Sequence, residues 1–272
     1  TVMMPPLMDV MTSLVLAFTL GLGMSVINGA TLKGAMEDFK DIINKVITGV
    51  IIPLLPLYIF GIFLNISNSG QVSGVLGVKI IVMIFFLTIV LLFIQFFIAG
   101  IVSKKNPFRL FRNMLPAYMT ALGTQSSAAT IPVTLEQSIK NGVNRELAAF
   151  VIPLCATIHS SGSTMKIVAC AMAIMLMSGM EIHFTQFAGF IMMLGVTMVA
   201  APGVPGGAIM AALGLLQSML GFNETLQALM IALYIAMDSF GTACNVTGDG
   251  AIAVVVDKIA GKQKAGTIQS SI

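Results

Sequence analysis

The chain has 272 residues, of which 57% are hydrophobic and only 9% are charged, and its formal net charge is +3. A soluble domain carries roughly 25% charged residues, so this composition and the mean hydropathy of +0.98 exclude an ordinary soluble domain. The small net charge gives no indication of nucleic-acid binding. Cys155, Cys170 and Cys244 lie in apolar segments without metal-ligand spacing, so we interpret them as buried apolar side chains.

Seven apolar segments follow one another along the chain. A run of about 20 apolar residues is long enough to cross a bilayer. Residues 1–14 include no initiator methionine and no polar leader, so we expect an N-terminal portion to precede them. We expect most of the charged stretch 33–45 to be a solvated junction. The segments cover residues 10–28, 42–66, 75–103, 108–139, 147–180, 184–221 and 225–257.

Two of these segments are interrupted midway by glycine, proline and serine. GTQSSAATIP interrupts 108–139, and APGVPGG interrupts 184–221. Basic residues flank 108–139 on both sides, so a re-entrant hairpin there keeps both basic junctions on one face, as the positive-inside rule requires. The same treatment of 184–221 makes the two hairpins open to opposite faces. Such an inverted repeat is typical of secondary transporters that bind their solute near the midplane, whereas two ordinary kinked helices are the alternative.

A third interruption lies within segment 147–180. The stretch CATIHSSGST at 155–164 places Thr157 and the residues from His159 to Thr164 between two apolar halves. So many polar residues would destabilise an uninterrupted lipid-facing helix, so we predict an unwound stretch with carbonyl oxygens free to coordinate a cation. A close helix contact through small residues is the alternative interpretation.

Four polar residues form a stripe in the last segment. Asp238, Thr242, Asn245 and Asp249 are spaced i, i+4, i+7 and i+11, so they fall within about 60° of one helix face. A carboxylate inside the bilayer costs several kcal/mol unless it is paired or binds a cation. Structural salt bridges are the alternative interpretation, but basic residues are scarce at this depth, so we predict that at least one acid binds a mobile ion or ligand.

Lys166 and His159 are the basic residues at comparable depth. Three roles are open to Lys166: it pairs with Asp238 or Asp249, it extends toward the interface, or it replaces a mobile cation as a fixed charge. His159 is interpreted either as a hydrogen-bonded buried side chain or as a proton site, since histidine titrates near neutral pH.

Four stretches resemble motifs of the dicarboxylate/amino acid:cation symporter family, the glutamate-transporter homologues. TQSSAATIPVT resembles the family's first hairpin tip, IPLCATIHSSGST its IPLGATINMDGT break, GVPGGAIM its second hairpin tip, and DSFGTACNVTGD its DxxRTxxNVxGD stripe. The resemblance implies an all-α integral membrane fold with two opposed re-entrant hairpins and inverted repeats. It also implies a homotrimer in the plasma (inner) membrane, with a small-molecule solute and the lipid bilayer as partners. Family members are longer, so the first three helices and part of the fourth are expected to be missing here.

The resemblance further implies two domains. Residues 1–70 would form part of the trimerising scaffold, and residues 71–272 would form a transport domain that moves as an elevator. The transport domain would contain helix 75–103, the first hairpin 108–139, the unwound helix 147–180, the second hairpin 184–221 and the last helix 225–257.

Roles for individual substrate-site residues follow from the resemblance as well. Asp238 would hold the amino group of the solute, and Asn245 would hold its α-carboxylate. The second hairpin would be the extracellular gate. The remaining residues of the predicted substrate site are Ser126, Ser127, Ser163, Val204 to Gly207, Gly241 and Thr242.

The same resemblance predicts Na⁺ as the coupling ion. One sodium site would use Asp249 and Asn245 together with carbonyls near Cys155 and His159. Another site would use Thr157 together with carbonyls near Met198 to Ala201.

Two departures from the family motifs alter the predicted activity. Gly241 stands where acidic-substrate members carry the stripe arginine, so a side-chain carboxylate would lack a bidentate partner. This favours a small neutral amino acid over glutamate or aspartate. His159, Ser160 and Ser161 replace the NMD of the break, which removes an acidic sodium ligand, so we expect no third sodium site of the usual kind. Either Lys166 would compensate the missing cation electrostatically, or His159 would exchange a proton and H⁺ would replace Na⁺ in part.

We therefore predict a secondary active symporter of a small neutral amino acid with Na⁺ or H⁺, and not an enzyme. A dicarboxylate or organic-acid symporter that uses Lys166 as the counter-charge is the main competing hypothesis. An intramembrane enzyme would need a paired catalytic constellation that the sequence lacks, apart from a weak Ser163/Lys166 pairing. A channel and a non-transporting fragment are two further hypotheses.

Overall fold

The computed structural model describes residues 10–27, 30–46, 49, 74–201 and 206–269, and the regular structure within these ranges is helical, without a strand. The prediction of an all-α fold is therefore confirmed. Most of the predicted segment 42–66 lies outside the described residues. The predicted site residue Val204 lies outside them as well. The helices are α1 (Val10–Val26), α2 (Ala30–Val46), α3 (Gly74–Ser103), α4 (Pro107–Thr124), α5 (Ser127–Lys140), α6 (Arg145–Ile158), α7 (Ser161–Met177), α8 (Phe184–Val199), α9 (Gly207–Leu220), α10 (Glu224–Ala236) and α11 (Asp238–Gln269).

Each of the three predicted interruptions coincides with a break between helices. The first helix pair, α4 and α5, is broken at Gln125, which has a left-handed φ of 52°, and at Ser126, whose hydroxyl caps α5. The break between α6 and α7 falls at His159 and Ser160. The second helix pair, α8 and α9, resumes after Gly206, whose φ of 73° favours glycine.

The stretch 33–45, which we expected to be mostly a solvated junction, forms most of the largely exposed helix α2. One element prediction differs from the structure. The last segment is not one helix over 225–257: it is divided at Met237 into α10 and α11, and α11 extends beyond 257. Neither glycine nor proline marks the break at Met237, so local signals do not predict it.

The buried apolar side chains form two cores, one around each helix pair. The first core joins the C-terminal half of α3 to α4, α6 and α11. The second core joins the N-terminal end of α3 to α7, α8, α9 and α10. Each helix pair therefore packs within one core, whereas α6 and α7 belong to different cores, as do α10 and α11. The α6–α7 break and the α10–α11 break thus lie where the two cores meet.

Helix α3 has the exposure pattern of a lipid-facing helix. Ile80, Ile84, Leu92 and Phe96 are buried and lie on one side, whereas the other side exposes large apolar residues such as Phe86, which is 63% exposed. A helix that is apolar all round needs an apolar environment on both sides. Within the described residues, three stretches are long and apolar enough to cross a membrane: Lys79–Ser103, Arg145–Met177 and Asp238–Gly261. These observations support a membrane-embedded protein.

Candidate functional site

The helix breaks and the polar stripe enclose one small polar cavity of about 30 Å³. A volume of this size holds about two water molecules. Six predicted site residues line it: Ser127, Thr157, Ser163, Asp238, Thr242 and Asn245. The other described lining residues are Gln125, Ala156, Ser160, Ala201, Ala208 and Tyr234, so both helix pairs, the α6–α7 break and α10 contribute.

Asp238 begins α11 and is almost completely buried, with 4% of its surface exposed. Its Oδ1 accepts a hydrogen bond from Lys166 Nζ at 3.0 Å, and its Oδ2 accepts one from the backbone N–H of Gly206 at 2.7 Å. Asp238 therefore joins α7 to the start of α9. Both carboxylate oxygens have protein partners. The role that the resemblance implied for this carboxylate, holding the amino group of a solute, stays a prediction.

Lys166 pairs with Asp238, which is one of the three roles that the sequence left open. The lysine is 0% exposed, its Nζ donates to the Met237 carbonyl at 3.3 Å, and it lies 3.4 Å from the centroid of the Tyr234 ring. The carboxylate and the aromatic face both compensate the buried cation. The side chain does not extend toward the interface. Tyr234 was not predicted, although it lies only four residues before Asp238 in the sequence.

Gly241 provides the space that Lys166 occupies. A Cβ at this position would lie 3.0 Å from Lys166 Nζ and 3.2 Å from its Cε. The lack of a side chain at position 241 thus leaves room for the cationic Lys166 of the neighbouring helix. The sequence offered a signal for a contact of this kind, since a lysine in an apolar segment needs a partner.

Asn245 joins α11 to the start of α7 by hydrogen bonds. Its Oδ1 accepts from the backbone N–H groups of Gly162 (2.7 Å) and Ser163 (3.2 Å), and its Nδ2 donates to Ser163 Oγ (2.9 Å). The side chain of Ser160, the N-cap residue, makes no capping hydrogen bond. Asn245 therefore supplies from another helix the acceptor that the first N–H groups of α7 need.

Asp249 forms a second polar cluster farther along α11. Its Oδ1 lies 2.7 Å from His159 Nδ1, and Asp249 is 1% exposed. Gln95 Nε2 donates to Ser161 Oγ at 2.9 Å, and Gln95 Oε1 is buried without a hydrogen-bond partner among the described residues. His159 and Gln95 flank Gly248, since a Cβ there would lie 2.7 Å from both His159 Cε1 and Gln95 Oε1. Gln95 was not predicted, although a lone amide within an apolar segment is a usable signal.

Several predicted sodium ligands lie near these clusters. Thr157 lines the cavity, and its Oγ1 donates to the Leu154 carbonyl at 2.7 Å. Met198 and Ala201 are buried at the end of α8, and Ala201 also lines the cavity. No group of three or more His, Cys, Asp or Glu residues in the described ranges is placed to hold a metal ion. A cation here would depend on carbonyl, amide and hydroxyl oxygens around single carboxylates.

The connection of the first helix pair contacts the stripe helix directly. Gln125 Nε2 donates to Ser239 Oγ at 2.9 Å. The Ser126 hydroxyl accepts from the backbone N–H of Ala129, so it caps α5, while Ser127 faces the cavity. In the second helix pair, Gly206 reaches Asp238 and Gly207 is buried at the start of α9.

The chain matches the sodium:dicarboxylate symporter family over residues 1–259. It is 28% identical to an excitatory amino acid transporter of Caenorhabditis elegans over 252 residues, which cover 89% of this chain and 50% of the relative. It is 29% identical to excitatory amino acid transporter 1 of Rattus norvegicus over 235 residues (83% of this chain, 43% of the relative). It is 30% identical to excitatory amino acid transporter 4 of Mus musculus over 261 residues (90% of this chain, 45% of the relative).

The chain therefore spans about half the length of these curated relatives. The family and these relatives are transporters and not enzymes, in agreement with the prediction. The resemblance predicted from the four motifs is also confirmed. The chain belongs to the sodium:dicarboxylate symporter family.

Proposed function

We propose that this protein is a secondary active symporter that moves a small neutral amino acid together with a cation across the plasma (inner) membrane. The observation that carries the proposal is the small cavity at which the stripe, the α6–α7 break and both helix pairs meet. At about 30 Å³ the cavity holds about two water molecules, so it would have to widen to admit an amino acid. Family membership supports cation coupling, and the names of the relatives support an amino acid as the solute.

The lining of the cavity favours a neutral side chain on the solute. Asp238 is the one charged residue among the described lining residues, and none of these is an arginine. A second carboxylate on the solute would enter without a bidentate partner, which costs affinity in a site of low dielectric. Asn245, Ser127 and Thr242 offer amide and hydroxyl groups to the α-carboxylate.

In this proposal the coupling ion is Na⁺, replaced in part by H⁺. Asp249, Asn245 and Thr157 with nearby carbonyls would hold Na⁺, and the unpaired Gln95 Oε1 adds an oxygen of the kind that hard cations bind. The contact between His159 and Asp249 supports a proton in place of one sodium ion.

The proposed architecture also implies how the transport domain would move. The two helix pairs would be re-entrant hairpins that open to opposite faces, and residues 71–272 would move as an elevator against a scaffold that includes residues 1–70. The second pair would be the gate, because its first described N–H after the connection, at Gly206, contacts Asp238. The assembly would be a homotrimer.

A dicarboxylate or organic-acid symporter is the second candidate. The contact between Lys166 and Asp238 favours it, because it places a cation next to the cavity without help from a solute amino group. In that case Lys166 would be the counter-charge of a solute carboxylate.

Uptake into proteoliposomes tests both candidates. The purified protein is reconstituted with an imposed Na⁺ gradient, an imposed H⁺ gradient or neither, and radiolabelled serine, alanine, threonine, aspartate and succinate are offered. The proposal expects saturable, gradient-driven uptake of a neutral amino acid. Uptake of aspartate or succinate in preference to all three neutral amino acids would favour the second candidate. Uptake that does not depend on either gradient would overturn the symporter.

A further inference from the structure

Lys166 lies behind the wall of the cavity and does not line it. The lysine is fully buried, and its ammonium group contacts Asp238 Oδ1, the Met237 carbonyl and the ring of Tyr234. Asp238 and Tyr234 do line the cavity. Lys166 can therefore act on a solute only through these neighbours, and chiefly through Asp238.

The pair leaves the cavity without net charge. Asp238 is the one charged side chain among the described lining residues, and Lys166 neutralises it from behind at 3.0 Å. His159 and Asp249 form a separate pair and do not line the cavity. A solute with a net charge brings an uncompensated charge into a buried site, whereas a zwitterion does not.

The two oxygens of Asp238 have different surroundings. Lys166 holds Oδ1, and Oδ2 faces the second helix pair through the N–H of Gly206. A solute ammonium group that replaces the Gly206 N–H at Oδ2 leaves the contact between Lys166 and Oδ1 in place. The carboxylate thus stays oriented and neutralised in both states.

We propose that Lys166 is a positioning residue that fixes the charge class of the transported solute: by acting as the resident counter-ion of Asp238, it makes the cavity select net-neutral zwitterions over cations and dianions. This inference rests on the proposed function and names the residue behind its selectivity. Gly241 contributes to the same arrangement, because a Cβ there would lie 3.0 Å from Lys166 Nζ and the lysine would have to shift by a few tenths of an ångström.

The test compares Lys166→Met, which keeps most of the length of the side chain without its charge, with Lys166→Arg, which keeps the charge. Uptake of labelled serine is inhibited with unlabelled serine, with the cationic analogue serinamide and with succinate. Removing the lysine leaves a negative cavity, so Lys166→Met should shift the ratio of inhibition constants toward serinamide by at least about tenfold, as close charge pairs do. Lys166→Arg should keep the wild-type ratio.

A double variant keeps the inference testable if Lys166→Met does not fold. Lys166→Met with Asp238→Asn removes both charges, and the cavity should again prefer serine to serinamide and succinate, although all affinities fall. Folding is checked by thermal unfolding and by a monodisperse elution profile.

Two results would overturn the inference. One is a Lys166→Met ratio within about twofold of the wild-type ratio, and the other is a double variant that prefers the cation or the dianion. Failure of the wild-type protein to take up any neutral amino acid would instead overturn the proposed function.

Discussion

Gly162 lies at a close approach between α7 and α11, so Gly162→Ala should disturb the cavity more than the small size of the added methyl group suggests. A Cβ at this position would lie 2.6 Å from Cys244 Cβ and 2.7 Å from the Gly241 carbonyl oxygen. Ordinary contacts of this kind begin at 3.4 Å, so the two helices must separate by about 0.8 Å (3.4 minus 2.6). Backbone atoms on α11 cannot rotate away as a flexible side chain would.

Two effects determine how much free energy of unfolding Gly162→Ala should lose. Overpacking of a close-packed interface costs about 1–3 kcal/mol. A separation of this size also stretches the hydrogen bonds from Gly162 and Ser163 to Asn245, each of which contributes about 1 kcal/mol. The expected loss in the free energy of unfolding is therefore about 2–5 kcal/mol, or a fall in Tm of roughly 5–15 °C.

Thermal unfolding in detergent and uptake into proteoliposomes are the assays. Gly195→Ala is the matched control, because Gly195 lies within α8 and a Cβ there meets no atom within 4 Å. The control should leave Tm unchanged or raise it slightly, since alanine favours a helix over glycine by up to about 1 kcal/mol. If Gly162→Ala matches Gly195→Ala in Tm and in uptake, the close approach of α7 and α11 is wrong.

Two further substitutions test hydrogen bonds that join helices. Asn245→Ala removes three hydrogen bonds and leaves the N–H groups of Gly162 and Ser163 without an acceptor, so Tm should fall by an amount equivalent to about 2–4 kcal/mol and uptake should be lost. Asn245→Asp keeps the acceptor and should restore most of the stability. An alanine variant that is as stable as the aspartate variant would contradict the capping role. Asn141→Ala removes the hydrogen bond to the Leu110 carbonyl and the one from Asn113, both remote from the cavity. Its Tm should fall by the equivalent of about 2–3 kcal/mol, while its solute preference in uptake assays should be unchanged. Asn113→Ala loses only one of these hydrogen bonds, so its Tm should fall less.

The helix breaks could be predicted from the sequence because their causes are local. Serine and glycine at 123–127, polar residues at 159–164 and proline with glycine at 202–207 disfavour a continuous helix wherever they occur. The break at Met237 has no such signal. The residues just before it are apolar, and its carbonyl accepts a hydrogen bond from Lys166, which is 71 residues away along the chain.

The stripe was predictable, but the partners of its residues were not. The spacing of Asp238, Asn245 and Asp249 places them on one face of any helix. Whether Lys166 pairs with the first or the last of these acids depends on how far α7 slides along α11. That offset is set by the contact of Gly162 with Cys244 and Gly241, which no local pattern encodes.

By itself the sequence determined the membrane environment, the helical class, the three breaks and the family, because composition, periodicity and motif spacing are properties of the chain alone. Only the tertiary structure decided that Lys166 neutralises Asp238, that Asn245 caps α7 and that His159 contacts Asp249. The physical reason is burial: a polar group inside an apolar core must find a partner, but which partner it finds depends on the packing of distant helices.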